Sequence, residues 1–394
     1  MNKPSPKPEK IISLADLAPE NVRRIAPYVP GKPIGETARE LGIPEDRILK
    51  MASNESPLGP SPRAVAAIRG ALDALHYYPD GSGFELKEKL ARRLGLEPAS
   101  FVLGNGSNDV LELVARSFLT RDDSAVHSRH AFMVYPLAIQ AIGARGIVVP
   151  ERDYATDLDA MAAAVRDDTK IVFIANPNNP TGTFSPWEDV RRFLERVPPT
   201  VLVVIDEAYE EYLPDGLRSP TAGWLGRFPN LVVSRTLSKA YGLAGMRVGY
   251  AIAQPRTIES FNRWAMKYNT NTLAVAAAIA SLDDAAHIEA ERERNAHARA
   301  FTSGVFGHLG CRVMDSQTNF VFVETGCPAA EFKEACAKRG VLVGREFPPL
   351  ERVHARVSVG TIEEMQQASL VFGEVIGAHR SGAAEASPVS GGHP

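Results

Sequence analysis

Cysteine is scarce in this chain of 394 residues, and Cys311, Cys327 and Cys336 are spaced too irregularly for a disulfide framework or a zinc site. Nine histidines are scattered without metal-ligand spacing, so no metal is expected. No run approaches the roughly 18 apolar residues that span a bilayer. The Pro- and Lys-rich start, Met1 to Lys10, lacks the apolar core of a secretory signal. A formal net charge of -3 gives no electrostatic case for nucleic acid or an anionic membrane surface. These absences point to a cytoplasmic protein with small-molecule partners. What is present, 44% apolar and 23% charged residues, is the make-up of a soluble globular chain. Its length exceeds one ordinary core and predicts two or three domains.

Short apolar runs alternate with amphipathic patterns through the middle of the chain. Strands are expected at Gly146–Val149, Lys170–Ala175, Thr200–Ile205, Leu231–Ser234 and Arg247–Ala253. Helical spacing marks Phe84–Leu94, Asp109–Phe118, Leu158–Val165 and Trp187–Arg196, and Ser61-Pro62 reads as the capped start of a helix through Ala74. Nearly unbroken Val/Ile runs spaced by helices indicate a parallel sheet covered on both faces. The fold class is therefore α/β, a large three-layer α/β/α domain with a mostly parallel sheet. From Ala285 the pattern changes to a long helix through about Leu309, strands at Asn319–Val323 and Arg356–Val359, and a helix at Ala329–Arg339. This is read as a smaller, discontinuous α+β domain completed by the N-terminal segment. The expected divisions are a disordered tail at 1–10, a small-domain segment at 11–60, the large domain at 61–284, the small domain at 285–376 and a second disordered tail at 377–394. No internal repeat is found.

In an open α/β sheet, ligands bind beyond the carboxyl ends of the strands. Three expected strands deliver polar residues there: Asn179 in A-N-P-N-N-P-T-G, Asp206 in V-V-I-D-E-A-Y, and Lys239 in T-L-S-K-A-Y-G-L-A-G-M-R. A lysine so placed can form a Schiff base with a carbonyl cofactor. Thr236, Ser238 and Arg247 can hold that cofactor's phosphate. Asp206, alone equally a helix-capping acid, suits a protonated ring nitrogen, and Tyr209 can reach a phenolic oxygen. The turn L-G-N-G-S-N-D (Leu103 to Asp109) enters a helix whose first N–H groups suit phosphate. Phe132, in H-A-F-M-V-Y-P, fits either a ring-stacking position or ordinary core packing.

Taken in order, N-E-S-P-L-G-P-S-P (Asn54 to Pro62), Y-P-D-G-S-G-F-E-L-K (Tyr78 to Lys87), G-N-G-S-N-D, N-P-N-N-P-T-G, D-E-A-Y, S-K-A-Y-G-L-A-G-M-R-V-G-Y and R-V-S-V-G-T (Arg356 to Thr361) carry a resemblance over about Leu17 to Val371. The chain resembles pyridoxal-phosphate aminotransferases of the aspartate-aminotransferase-like group, and among them the histidinol-phosphate aminotransferases. The resemblance implies pyridoxal 5'-phosphate held by Lys239, which also moves protons at the substrate. It implies Asp206 at the ring nitrogen, Asn179 and Tyr209 at the ring hydroxyl, and Phe132 on the ring face. Ser107 and Asn108 amides, Thr236, Ser238 and Arg247 would take the phosphate. Tyr78 would reach the cofactor of a second subunit, implying a homodimer. Arg356, Tyr28 and Arg345 fall on the substrate side.

That side departs from the family pattern. Gly344 stands where G-V-x-V-R carries a phosphate-binding Arg, with Arg345 one place later, and Lys267-Tyr268-Asn269-Thr270-Asn271 replaces a Pro-Phe-Asn-Val-Asn stretch. A one-residue shift along a strand reverses the face a side chain points to. The expected reaction is transfer of an amino group between histidinol phosphate and 2-oxoglutarate. An aromatic amino donor, and more distantly decarboxylation of an amino acid phosphate, stand as alternatives. A ligand-sensing module of a regulator lacks the basic recognition helix it would need.

Overall fold

The computed structural model describes residues 14–27, 31, 33–347 and 352–386. Twelve strands occur among them: β1 (Leu49–Met51), β2 (Phe101–Gly104), β3 (Ser124–Ser128), β4 (Arg145–Val149), β5 (Thr169–Ala175), β6 (Leu202–Asp206), β7 (Leu231–Thr236), β8 (Gly249–Ile252), β9 (Arg312–Val313), β10 (Phe320–Glu324), β11 (Val341–Val343) and β12 (His354–Ser358). Seven form one sheet in the order β2-β8-β7-β6-β5-β3-β4. Its pairs from β4 to β7 are parallel, while β8 runs antiparallel to both β7 and β2.

Strand side chains alternate between two buried clusters. Val172 and Ile174 of β5 join Val203, Ile205 and Val233 on one face, with Leu86, Val190 and Ala277 from the covering helices. Ile171, Phe173 and Val204 join Leu111, Ala138 and Phe261 on the other. Period-two alternation in wholly buried strands is why these segments read as continuous Val/Ile runs. The result is three layers. A separate cluster around Met51, Phe306, Val321, Phe332, Val341, Val357 and Phe372 packs the remaining strands. There, β10 lies between β9 and β12, all antiparallel, and β1 pairs in parallel with β11. The N-terminal segment thus supplies a strand beside the C-terminal third.

Three differences from the sequence reading have physical causes. Helix Glu20–Arg23 lies not on these small sheets but against helix Val134–Ile142 of the large layer, where Asn21 Nδ2 donates to the Ala141 carbonyl at 2.8 Å. That contact answers a carbonyl left open at the end of a helix. The final helix, Ile362–Ala386, continues past Gly377, where a disordered tail was expected. Its Ala-rich run sustains a helix although it offers few large side chains to a core. Residues 1–10 and 387–394 of the expected tails lie outside the described residues. The third difference is Arg247, expected to open a strand. It instead adopts φ +58 in the left-handed region, and β8 begins at Gly249.

Candidate active site

β5, β6 and β7 point the same way, so Ala175, Asp206 and Thr236 end at one edge of the large sheet. Because β8 is reversed, its first residue, Gly249, pairs with both Thr236 and Gly104, the last residue of β2. Five strands therefore bring their following or preceding loops to one place.

Lys239 follows β7, half-buried, its Nζ donating to the Ser53 carbonyl at 3.4 Å and lying 5.9 Å from the centre of the Tyr209 ring. Burial first, then the Arg356 and Arg247 guanidiniums, lowers this amine to about 8, against the opposing pull of Glu55 and Asp206. Asp206 ends β6, buried. The Tyr135 hydroxyl donates to its Oδ2 at 2.8 Å, while Oδ1 is buried and meets no partner among the described residues. Burial pushes the carboxyl up to about 6, with the Tyr135 hydrogen bond opposing. Its neighbour Glu207 turns the other way, into a buried ion pair with Arg235 at 2.8 Å.

Tyr209, buried, receives N–H groups from Asn179 at 3.3 Å and from Asn54 at 3.1 Å. Asn179 in turn accepts from Arg356 Nη1 at 2.7 Å, and Arg356 Nη2 donates to the Ala52 carbonyl at 3.1 Å. The Arg356 guanidinium lies over Phe320 and Phe347. Arg345 stacks on Phe347 too, 4.8 Å from its ring centre, so both expected substrate-side arginines share one aromatic ring. Tyr28 lies outside the described residues.

The hydroxyls of Thr236 and Ser238 are 2.9 Å apart. Arg247 folds back through its left-handed backbone to donate to Ser238 Oγ at 3.4 Å and to the Asn105 carbonyl at 3.3 Å. Helix Ser107–Phe118 opens beside them, with Asn108 exposed on its first turn. Two glycines make this loop possible. Gly106 has φ +81, and a Cβ there would overlap the Arg247 guanidinium. A Cβ on Gly249 would come within 2.5 Å of the Ser107 amide nitrogen. Phe132 is partly buried with its ring edge-on to Tyr135, their centres 5.9 Å apart. Tyr78 is not brought to the cluster. It is 83% exposed and stacked on Tyr268 at 4.9 Å.

Two residues of this site had no expected role. Tyr135 was inside a motif that singled out Phe132, and Asn54 inside one given no chemistry. The available signal for Asn54 was a short polar residue able to take a left-handed turn, and it stands at φ +54.

The arrangement fits a phosphorylated pyridine aldehyde on this chain's own features. A buried carboxylate oxygen is left open, a half-buried amine faces the same region, and a loop that two Cβ atoms would fill is ringed by hydroxyls, a guanidinium and a helix start. Among the described residues no group of His, Cys, Asp and Glu is placed to hold a metal ion, and no helix is long and apolar enough to cross a membrane.

Residues 46–370 match the family Aminotransferase class I and II. Histidinol-phosphate aminotransferase 1 of Thiobacillus denitrificans is 50% identical over 364 residues, 92% of this chain and 94% of that protein. Histidinol-phosphate aminotransferase 2 of Pseudomonas aeruginosa is 47% identical, over 91% of this chain and 98% of its own. The crystal structure of histidinol-phosphate aminotransferase from Sinorhizobium meliloti, in complex with pyridoxal-5'-phosphate, superposes with a TM-score of 0.83 at 31% identity, covering 91% of this chain and 97% of that one. A Thermus thermophilus aspartate aminotransferase, 20% identical with a TM-score of 0.78 over 91% of this chain and 99% of its own, shares the fold. The chain belongs to the class I and II aminotransferases, in the histidinol-phosphate aminotransferase-like group, and is a pyridoxal-phosphate-dependent enzyme.

Proposed function

We propose that the enzyme transfers an amino group between histidinol phosphate and 2-oxoglutarate, as a cytoplasmic homodimer. The observation that carries the chemistry is the pairing of Lys239, an amine lowered to about 8, with the open, buried Asp206 carboxylate. The substrate reading is supported by relatives of that name, about half identical over some nine-tenths of the chain.

Pyridoxal phosphate, when bound, supplies a protonated ring that accepts the electron pair left at a substrate carbon. Asp206 holds the ring nitrogen's proton, and Tyr135 holds Asp206 in line by its 2.8 Å hydrogen bond. Asn179 and Tyr209 donate to the ring hydroxyl oxygen. Ser107 and Asn108 amides with Thr236, Ser238 and Arg247 bind the phosphate, and Phe132 covers the ring face. Lys239 anchors the cofactor and takes and returns a proton at the substrate's α carbon. Its lowered basicity keeps a useful fraction of free amine near neutral pH. Arg356 binds the substrate's anionic group, with Arg345 and Tyr28 nearby on the same side. Tyr78, so exposed in one protomer, reaches the partner subunit's cofactor. In domain terms, 61–284 carries the cofactor, while 11–60 and 285–376 form the smaller unit that brings Arg356.

One observation favours a second donor class, an aromatic amino acid. Gly344 offers no side chain to a phosphate, and Arg345 rests on Phe347. A donor screen decides between them. Holoenzyme with 2-oxoglutarate is expected to turn over histidinol phosphate far faster than phenylalanine. The reverse order would replace the substrate reading, and carbon dioxide release without keto-acid consumption would replace the reaction class.

A further inference from the structure

Three consecutive residues after β1 each hold a different member of the site. The Ala52 carbonyl accepts from Arg356, the Ser53 carbonyl accepts from Lys239, and the Asn54 side chain donates to the Tyr209 hydroxyl. Asn54 is 2% exposed and sits at φ +54, a conformation that costs most side chains but suits Asn. All its polar atoms are engaged. Its N–H donates to Ser358 Oγ at 2.8 Å, its Oδ1 accepts from the same Oγ at 2.7 Å, and its carbonyl accepts from Asn319 Nδ2 at 2.9 Å.

These partners decide which way two amides face. Ser358 Oγ already accepts from the Asn54 N–H, so it gives its proton to Oδ1 and turns Nδ2 to Tyr209. Arg356 is a donor only, so Asn179 presents Oδ1 to it and Nδ2 to Tyr209. The Tyr209 oxygen therefore accepts two N–H groups, which occupy both its lone pairs. Its own proton must go outward to a third group. A hydroxyl that accepts hydrogen bonds is also a stronger donor.

We infer that Asn54 is a positioning residue that fixes Tyr209 as a proton donor to the cofactor's ring hydroxyl oxygen. The inference rests on the assignment of Tyr209 proposed above. A donor aimed at that oxygen favours its anionic form, so it lowers the pH at which the bound cofactor changes its visible absorbance. Without Asn54 the Tyr209 hydroxyl turns freely, and that midpoint rises.

The test is a pH titration of the visible absorbance of holoenzyme carrying Asn54→Gly, Asn54→Ala or Tyr209→Phe, with melting temperatures measured alongside. Glycine accepts φ +54 and keeps the fold, whereas alanine is strained there. Both lose the donor. The expected result is an equal upward shift of about half a pH unit or more in both, although Asn54→Ala melts lower. Tyr209→Phe shifts further in the same direction. A midpoint that follows melting temperature, or stays unmoved in Asn54→Gly while Tyr209→Phe moves it, overturns the inference and leaves the site reading standing. A midpoint unmoved in all three overturns both.

Discussion

At the scale of single residues, the site works through groups whose surroundings oppose their ordinary ionisation. Lys239 falls from 10.5 to about 8, because burial and two guanidiniums disfavour the ammonium. The free amine is the reactive form and predominates above that value. Cofactor-free protein mixed with pyridoxal phosphate should therefore regain its colour at a rate that climbs up to about pH 8 and then levels. A climb continuing toward 10.5 would show an unperturbed lysine. Lys239→Ala should lose both the bound chromophore and turnover, as read by absorbance and a keto-acid assay.

Asp206 is displaced in the other sense, from 3.8 to about 6. Its folded pKa is the higher one, so the folded state holds the proton more tightly. The resulting loss of stability sets in as pH rises from 3.8 and is complete above about 6. Asp206→Asn removes that burden. The cofactor-free variant should gain about 2 kcal/mol at neutral pH in urea unfolding. The same change should retain cofactor yet slow turnover by about a hundredfold or more, some 3 kcal/mol of barrier. Near-normal turnover would make Asp206 purely structural. Asp206 was legible in the sequence because a carboxylate at the end of a Val/Ile run is conspicuous. Its partner Tyr135 was not, since only the tertiary fold brings a tyrosine of helix Val134–Ile142 to within 2.8 Å of it.

At the scale of elements, the phosphate-side loop depends on β8 running backwards. That reversal sets Gly249 against the Gly106–Ser107 turn and directs Arg247 toward Ser238. Gly106→Ala would add a Cβ at φ +81 in the space of the Arg247 guanidinium. Left-handed backbone costs about 1–2 kcal/mol for an L side chain, and a displaced charged donor adds a similar amount. Cofactor affinity is expected to fall by roughly 10–100-fold in equilibrium dialysis. Unchanged affinity would show that the loop has room to spare. The covering helices and β5 to β7 could be read from periodicity, because alternation and 3.6-residue spacing are local properties. The direction of β8 could not, since an apolar run looks the same in a parallel or antiparallel neighbour. β2 and β3 also escaped the reading. Their short F-V-L-G and S-A-V-H-S sequences become strands through pairing with β8 and β5.

At the scale of the whole molecule, Tyr77, Tyr78, Trp264, Met266 and Tyr268 are exposed together with Phe84. Large apolar side chains left open in this number suit a covered face, which agrees with the proposed homodimer. Light scattering should give twice the mass of one chain. Tyr78→Ala should weaken cofactor retention about tenfold, near 1.4 kcal/mol, without lowering the melting temperature of cofactor-free protein. Monomeric mass would remove Tyr78 from the site. The two-part organisation followed from a change of pattern near Ala285, but the path of the N-terminal segment did not. Its strand β1 joins β11 more than 280 residues away in the chain, and residues 52–54 then run on to Arg356, Lys239 and Tyr209.

The sequence by itself determined the α/β class, the cofactor chemistry and the strand-end groups Asn179, Asp206 and Lys239, because these rest on local patterns and on residue types set at strand ends. Only the tertiary structure decided which hydrogen bonds orient those groups. Tyr135 on Asp206, Asn54 on Tyr209 and the reversed β8 beneath Arg247 are contacts between segments far apart in the chain. Such contacts are set by packing, which no local spacing records.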